Sequence, residues 1–234
     1  MKTPLFFCYF LLLFFSATYS HAQDWPNLNR YKDENSKVPI LSAKDHSRVV
    51  FMGNSITEGW INKRPDFFNS KKYINRGISG QTTPQMLLRF RQDVIALKPA
   101  VVVILAGIND IAENTGPYSA ETTSGNIFSM CELAKQNGIK VILCSVLPAL
   151  DFKWKPGLDP AKKVVALNSV LKAYADKNKL FYTDYFSAMV NEKLGLKDEL
   201  GTDGVHPNEA GYAIMEPILE KNIFKALKNK LNSF

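Results

Sequence analysis

The chain has 234 residues and a formal net charge of +7, with 46% hydrophobic and 22% charged residues. That apolar share suits a cored globular fold rather than a disordered chain, and the length suits one domain better than two. The basic residues are scattered, with no basic stripe interleaved with aromatics, so they read as a solvated surface and argue against a nucleic-acid partner.

Lys2 precedes an unbroken apolar run from Leu5 to Phe15, followed by small and polar residues through Ala22. A basic start, a short apolar centre and the small pair Ser20 and Ala22 read as a secretory signal peptide over 1–22, cleaved after Ala22. The run is shorter than the roughly 20 apolar residues that cross a bilayer, so an exported protein with no integral membrane segment in its mature form is expected. Residues 23–46 are polar and read as an irregular N-terminal arm, leaving 47–234 as the folded domain. The mature chain keeps Cys131 and Cys144. With no CxxC spacing and no clustered histidines, no metal site is expected, and both cysteines read as buried thiols, with a disulfide between them in an exported protein as the alternative.

From residue 48 strands and helices alternate. Arg48–Met52, closed by Gly53, is a buried strand, and Tyr73–Arg76 a weaker one ending at Gly77. A helix follows over Thr82–Leu97, with Thr82 or Thr83 as cap and Pro84 in the first turn. Ala100–Leu105 and Ile139–Val146 are apolar on both faces, as central parallel strands must be. Helices are expected over Ser119–Asn137 and Pro160–Asn178, a short strand over Leu180–Thr183, and a closing helix over Asn208–Leu231 with a kink before Pro217. This alternation predicts an α/β fold with a parallel sheet covered on both faces, in which ligands bind beyond the carboxyl ends of the strands.

Four polar, glycine-rich stretches follow those strands: Gly53-Asn54-Ser55-Ile56-Thr57-Glu58, Asn75-Arg76-Gly77-Ile78-Ser79-Gly80-Gln81-Thr82, Gly107-Ile108-Asn109-Asp110 and Asp203-Gly204-Val205-His206-Pro207-Asn208. The fold brings them to one edge. A serine nucleophile needs an adjacent base, and the base a partner that holds its tautomer. The mature chain has two histidines, and His46 stands at the opposite edge, so His206 is the candidate base, with Asp203 placed to hold its far nitrogen. The backbone N–H groups of Ser55 and Gly80 and the Asn109 amide are candidate oxyanion donors. Alone, Gly80 reads better as a turn glycine and Asn109 as a strand-end cap, while His206 reads equally as a helix-cap residue.

Together the four stretches resemble the sequence blocks of the SGNH (GDSL-like) hydrolase family, in family order, over about Arg48 to Tyr212. The resemblance implies a flavodoxin-like three-layer fold with five parallel strands and no cofactor. It also implies a site with Ser55 as nucleophile, His206 as base, Asp203 as its orienting carboxylate, and Ser55, Gly80 and Asn109 as the oxyanion hole. One departure is Asn54, where the family usually carries aspartate, which removes a negative charge beside Ser55. By analogy with bacterial members, the expected substrate is a small acyl ester, most often acetyl, on a carbohydrate. Lysophospholipase or arylesterase activity, and carbohydrate binding without turnover, are the alternatives. A nucleotide- or flavin-binding protein is disfavoured because the first loop lacks GxGxxG and a Walker lysine. Asn54, Trp60, Ile108 and, in the loop 147–159, Trp154 are candidate pocket residues, since all follow strands at the catalytic edge.

Overall fold

Five parallel strands, β1 (Val49–Gly53), β2 (Tyr73–Gly77), β3 (Val101–Leu105), β4 (Lys140–Cys144) and β5 (Phe181–Thr183), form one sheet in the order β2-β1-β3-β4-β5. The structure, a computed structural model, describes residues 24–42, 45 and 47–228. The expected signal peptide, His46 and the last residues expected of the closing helix lie outside the described residues. Among the described residues, no helix is long and apolar enough to cross a membrane.

β1 and β3 are buried at every position, so they occupy the middle of the sheet, as their two-faced apolar runs require. The chain leaves β1 toward β2 on one side and returns past β1 to β3 on the other, so the switch in strand order falls between β1 and β3. In register, Gly53 lies opposite both Gly77 and Leu105, which brings three strand ends level at that crevice. Right-handed crossovers then put α2 (Ser55–Lys63) and the short α3 (Pro65–Asn69) on one face and α4 (Thr83–Asp93), α6 (Ala120–Gln136) and α7 (Pro160–Lys177) on the other, with the single turns α5 (Ile108–Ile111) and α8 (Tyr185–Met189) following β3 and β5. The helix contacts follow: α4 packs on α6 and α6 on α7, while α9 (Glu209–Lys228) packs on α2. The result is a three-layer α/β/α fold.

Several boundaries differ from expectation. The helix expected to reach Leu97 ends at Asp93, because Val94 leaves helical geometry at φ −126°, and a 3₁₀ turn over Ile95–Leu97 follows. The closing helix starts at Glu209, one residue later than expected, and holds Pro217 within it. The arm carries a helical turn, α1 (Lys32–Ser36), so it is not irregular throughout. Cys131 and Cys144 are buried free thiols, and burial pushes both up to about 12.

Candidate active site

The end of β1 turns directly into α2. Asn54 is its N-cap, and its side-chain oxygen accepts the Ile56 N–H at 3.0 Å. An N-cap bond of this kind satisfies one of the amides that a helix start leaves unpaired. Ser55 is therefore the first helical residue, half-buried at the rim of the β1–β3 crevice. Close approach of the neighbouring loop requires Gly77, where an added Cβ would lie 2.2 Å from the Glu58 nitrogen and 2.7 Å from the Asn54 carbonyl.

His206 reaches this point from the far end of the sequence on a self-locked turn. Asp203 Oδ1 accepts the Val205 and His206 amides at 3.0 and 2.8 Å, and Thr202 donates its N–H to the His206 carbonyl at 3.0 Å. Asn208 then starts α9, its Oδ1 accepting the Gly211 amide at 3.0 Å. What sets the distance to Ser55 is the packing of α9 on α2. Tyr212 donates its buried hydroxyl to the Ile56 carbonyl at 2.7 Å and stacks on Trp60 with ring centroids 5.1 Å apart. Glu216 accepts from Arg64 at 3.0 and 2.9 Å and from the Trp60 indole at 3.3 Å.

With the helices so clamped, Ser55 Oγ lies 2.9 Å from His206 Nε2, and His206 Nδ1 lies 2.7 Å from Asp203 Oδ2. The tautomer with Nδ1–H donating to Asp203 leaves Nε2 free to accept the Ser55 hydroxyl proton. Burial raises the Asp203 carboxyl, but the His206 amide, the His206 ring and the Val205 amide outweigh it, so the group titrates below its ordinary value and stays ionised at neutral pH.

The other two loops are tied to the same turn. The Ile78 amide donates to the Gly53 carbonyl at 3.1 Å, and Glu58 accepts the Ser79 amide at 2.8 Å and the Ser79 hydroxyl. Gly80 adopts a left-handed φ of 77°, and Asn114 holds its carbonyl at 3.1 Å. Among the described residues its N–H meets no acceptor. The Asn109 amide donates one hydrogen to the Gln81 carbonyl at 2.9 Å, which leaves the second free. Asp110 accepts the Thr83 amide and hydroxyl at 3.1 and 2.6 Å, joining the third loop to the start of α4.

Arg89, fully buried on α4, binds the remaining parts together. It donates to the Gly53 carbonyl at 3.0 Å, to the Gln81 side chain at 2.5 Å and to Asp93 at 3.0 Å. The sequence reading missed Glu58, Arg89 and Asn114 as supporting residues. The one available signal was Arg89, an arginine at the core-facing spacing Met86, Arg89, Phe90.

Three of the expected pocket residues expose almost no surface. Trp60 is 1% exposed and sits in an aromatic core with Phe51, Phe67 and Tyr212, because the phase of α2 turns Ile56 and Trp60 inward together. Asn54, at 1%, is committed to helix capping, and Ile108, at 3%, belongs to the hydrophobic core. Trp154 is 51% exposed, with its ring 6.2 Å from that of His206 and 5.2 Å from buried Phe152. Lys155 anchors its loop across the rim by donating to the Ala112 and Glu113 carbonyls at 3.2 and 3.3 Å. Among the described residues, no group of acidic, histidine or cysteine side chains is gathered as a metal site.

A hydroxyl, an imidazole and a carboxylate in one hydrogen-bonded line, at the switch-point crevice of a parallel sheet, have the geometry that acyl transfer requires. The chain belongs to the GDSL-like lipase/acylhydrolase family, whose sequence model matches residues 51–214. Members of this family hydrolyse esters. The chain is 52% identical to a GDSL-like lipase of Bacteroides thetaiotaomicron of known structure, with a TM-score of 0.83, covering 86% of this chain and 98% of that one. It is 28% identical to the esterase TesA of Pseudomonas aeruginosa over 76% of this chain and 82% of that protein. It is 27% identical to an acetylxylan esterase of Xylanibacter ruminicola over 75% of this chain. The chain spans only 43% of that acetylxylan esterase and 58% of a further relative, a Bacillus subtilis lipoprotein.

Proposed function

We propose that this protein is an exported serine esterase that removes small acyl groups, acetyl above all, from carbohydrate. The single observation that carries the catalytic part is the continuous line from Ser55 Oγ through His206 to Asp203, at 2.9 and 2.7 Å. In this mechanism Ser55 attacks the ester carbonyl as His206 Nε2 takes its proton. The tetrahedral oxyanion is held by the Ser55 and Gly80 amides and the free Asn109 hydrogen. His206 then returns the proton to the departing alcohol, leaving an acyl-serine. A water deprotonated by the same imidazole hydrolyses that intermediate and releases the acid. Asp203 stays charged throughout and steadies the imidazolium. Export is supported by the Lys2-led apolar run ending in small residues at Ala22.

The carbohydrate assignment draws on the similarity to an acetylxylan esterase and on Trp154. Because His206 protonates the leaving alcohol in this mechanism, a half-exposed indole 6.2 Å from its ring is within reach of that alcohol. There a sugar ring can lie against it. Trp154→Ala is expected to lower kcat/KM on acetylated xylose about two- to tenfold, the range for one aromatic contact, while the ratio of acetyl to butyryl ester hydrolysis on a common alcohol holds. A changed acyl preference would place Trp154 on the acyl side instead.

Asn109→Ala removes one oxyanion donor and is expected to reduce kcat by about 100- to 1000-fold with KM little altered. Steady-state kinetics on 4-nitrophenyl acetate and acetylated xylan check both points. A loss confined to KM would assign Asn109 to ground-state binding. Absence of turnover on every acetylated glycan, with simple esters cleaved, would overturn the carbohydrate part alone.

A further inference from the structure

Resting on the serine-esterase reading above, we propose that the N-terminal arm, through Arg30, forms a second subsite beside Ser55 for a neutral, hydroxyl-bearing unit of the substrate. The arm is built into the molecule by side chains of the catalytic half. Gln85 and Gln81 donate to the Trp25 and Pro26 carbonyls at 2.7 Å each, and Gln92 donates to the Leu28 carbonyl at 2.6 Å. Tyr31, 7% exposed, donates its hydroxyl to the Gly77 carbonyl, and Asn35 donates to Asp93 at 2.7 Å. These bonds reach the same Gly77, Gln81 and Asp93 that support the Ser55 turn and the Asn109 amide.

Between the arm, α2 and β2 lies a cavity of about 500 Å³, lined among others by Arg30 and Glu34 of the arm, by Ser55 and Glu58 of α2, and by Arg76 and Ser79. That volume falls in the range of sites that hold small molecules, and far exceeds an acetyl group. The cavity has Ser55 in its lining but neither the His206 turn nor the Trp154 loop, so it lies across Ser55 from Trp154, where a neighbouring unit of the same sugar chain can reach it.

Its chemistry selects the occupant. Arg30 pairs with Glu58 at 3.3 Å and Glu34 at 3.7 Å, while buried Arg76 is held by Asn35 and the Asn75 carbonyl, so an anionic ligand gains from Arg30 and loses to the glutamates, and an acyl chain would leave these three charges poorly solvated. Hydroxyl groups donate and accept, and so match both signs at once. Arg30 is the accessible donor, its side chain 40% exposed, placed over the Tyr31 ring at 4.6 Å and paired to Glu58 at 3.3 Å. Glu58 in turn holds Ser79, one residue before Gly80. A sugar unit bound at Arg30 thus sits one carboxylate away from the oxyanion loop.

The experiment compares acetylated xylo-oligosaccharide with acetylated xylose, which occupy the Trp154 side alike and differ in the additional unit. In Arg30→Ala the kcat/KM ratio of oligosaccharide to monosaccharide is expected to fall at least fivefold, mainly through KM, and Arg30→Gln, which keeps an amide donor, recovers part of it. Separately, Ser55→Ala should bind the acetylated oligosaccharide in calorimetry, at least fivefold more weakly once Arg30→Ala is added. An unchanged ratio, equal losses on both substrates, or equal binding by the single and double variants would overturn the subsite. Retained ester hydrolysis in Ser55→Ala would overturn the serine-esterase reading instead, and the calorimetric comparison would still decide the subsite.

Discussion

Ser55→Ala is expected to lower kcat on 4-nitrophenyl acetate by about 10⁴- to 10⁶-fold, the loss seen when the nucleophile of such a unit is removed, with far-UV circular dichroism and thermal unfolding close to wild type. The fold should tolerate the change because Ser55 does not cap its own helix. The Asn54 side chain does that at 3.0 Å, and Tyr212 holds the Ile56 carbonyl at 2.7 Å. What disappears is the hydroxyl 2.9 Å from His206. The amides that hold an oxyanion remain, so a residue of activity above the uncatalysed rate is expected. A variant retaining more than a few per cent of wild-type kcat would require another nucleophile.

His206→Ala is expected to cost about as much as Ser55→Ala, and the double variant no more than either alone, because residues acting as one unit lose their effect together. The turn should survive the loss of the ring: Asp203 Oδ1 still accepts the two backbone amides at 2.8 and 3.0 Å, and Asn208 still starts α9. Without the imidazole the Ser55 hydroxyl has no acceptor for its proton, and at neutral pH an unassisted hydroxyl is a weak nucleophile. Multiplicative losses in the double variant would mean that the two side chains act independently. They would then not be members of one hydrogen-bonded line.

The parts of this structure that the sequence made legible are those set by a period or by a chain break. Two-faced apolar runs such as Val101–Leu105 have one stable place in an α/β protein, the buried centre of the sheet. Polar, glycine-rich stretches after such strands share one edge by topology, and the resemblance of the four stretches to a family's sequence blocks adds His206, which follows β5 only after a long connection. Side-chain direction was less accessible. Trp60 follows a strand at the right edge, yet it points into the core, because Ile56 and Trp60 lie one helical turn apart and share the buried face of α2. That helix was itself hard to see: Thr57 and Gly59 are poor helix formers, and packing against β2 and α9 overrides them. The arm had no apolar period at all. Its order comes from glutamine side chains binding backbone carbonyls across 55 to 64 residues of sequence, which no local pattern records.

A fluorophosphonate probe tests the central claim most directly, since a hydroxyl activated by an imidazole displaces fluoride from phosphorus and keeps the phosphonyl group. Intact-mass and peptide analysis of the native protein after brief exposure should find a single adduct, on Ser55, forming far more slowly in His206→Ala. An unmodified Ser55 in folded protein that nonetheless hydrolyses short esters would contradict it.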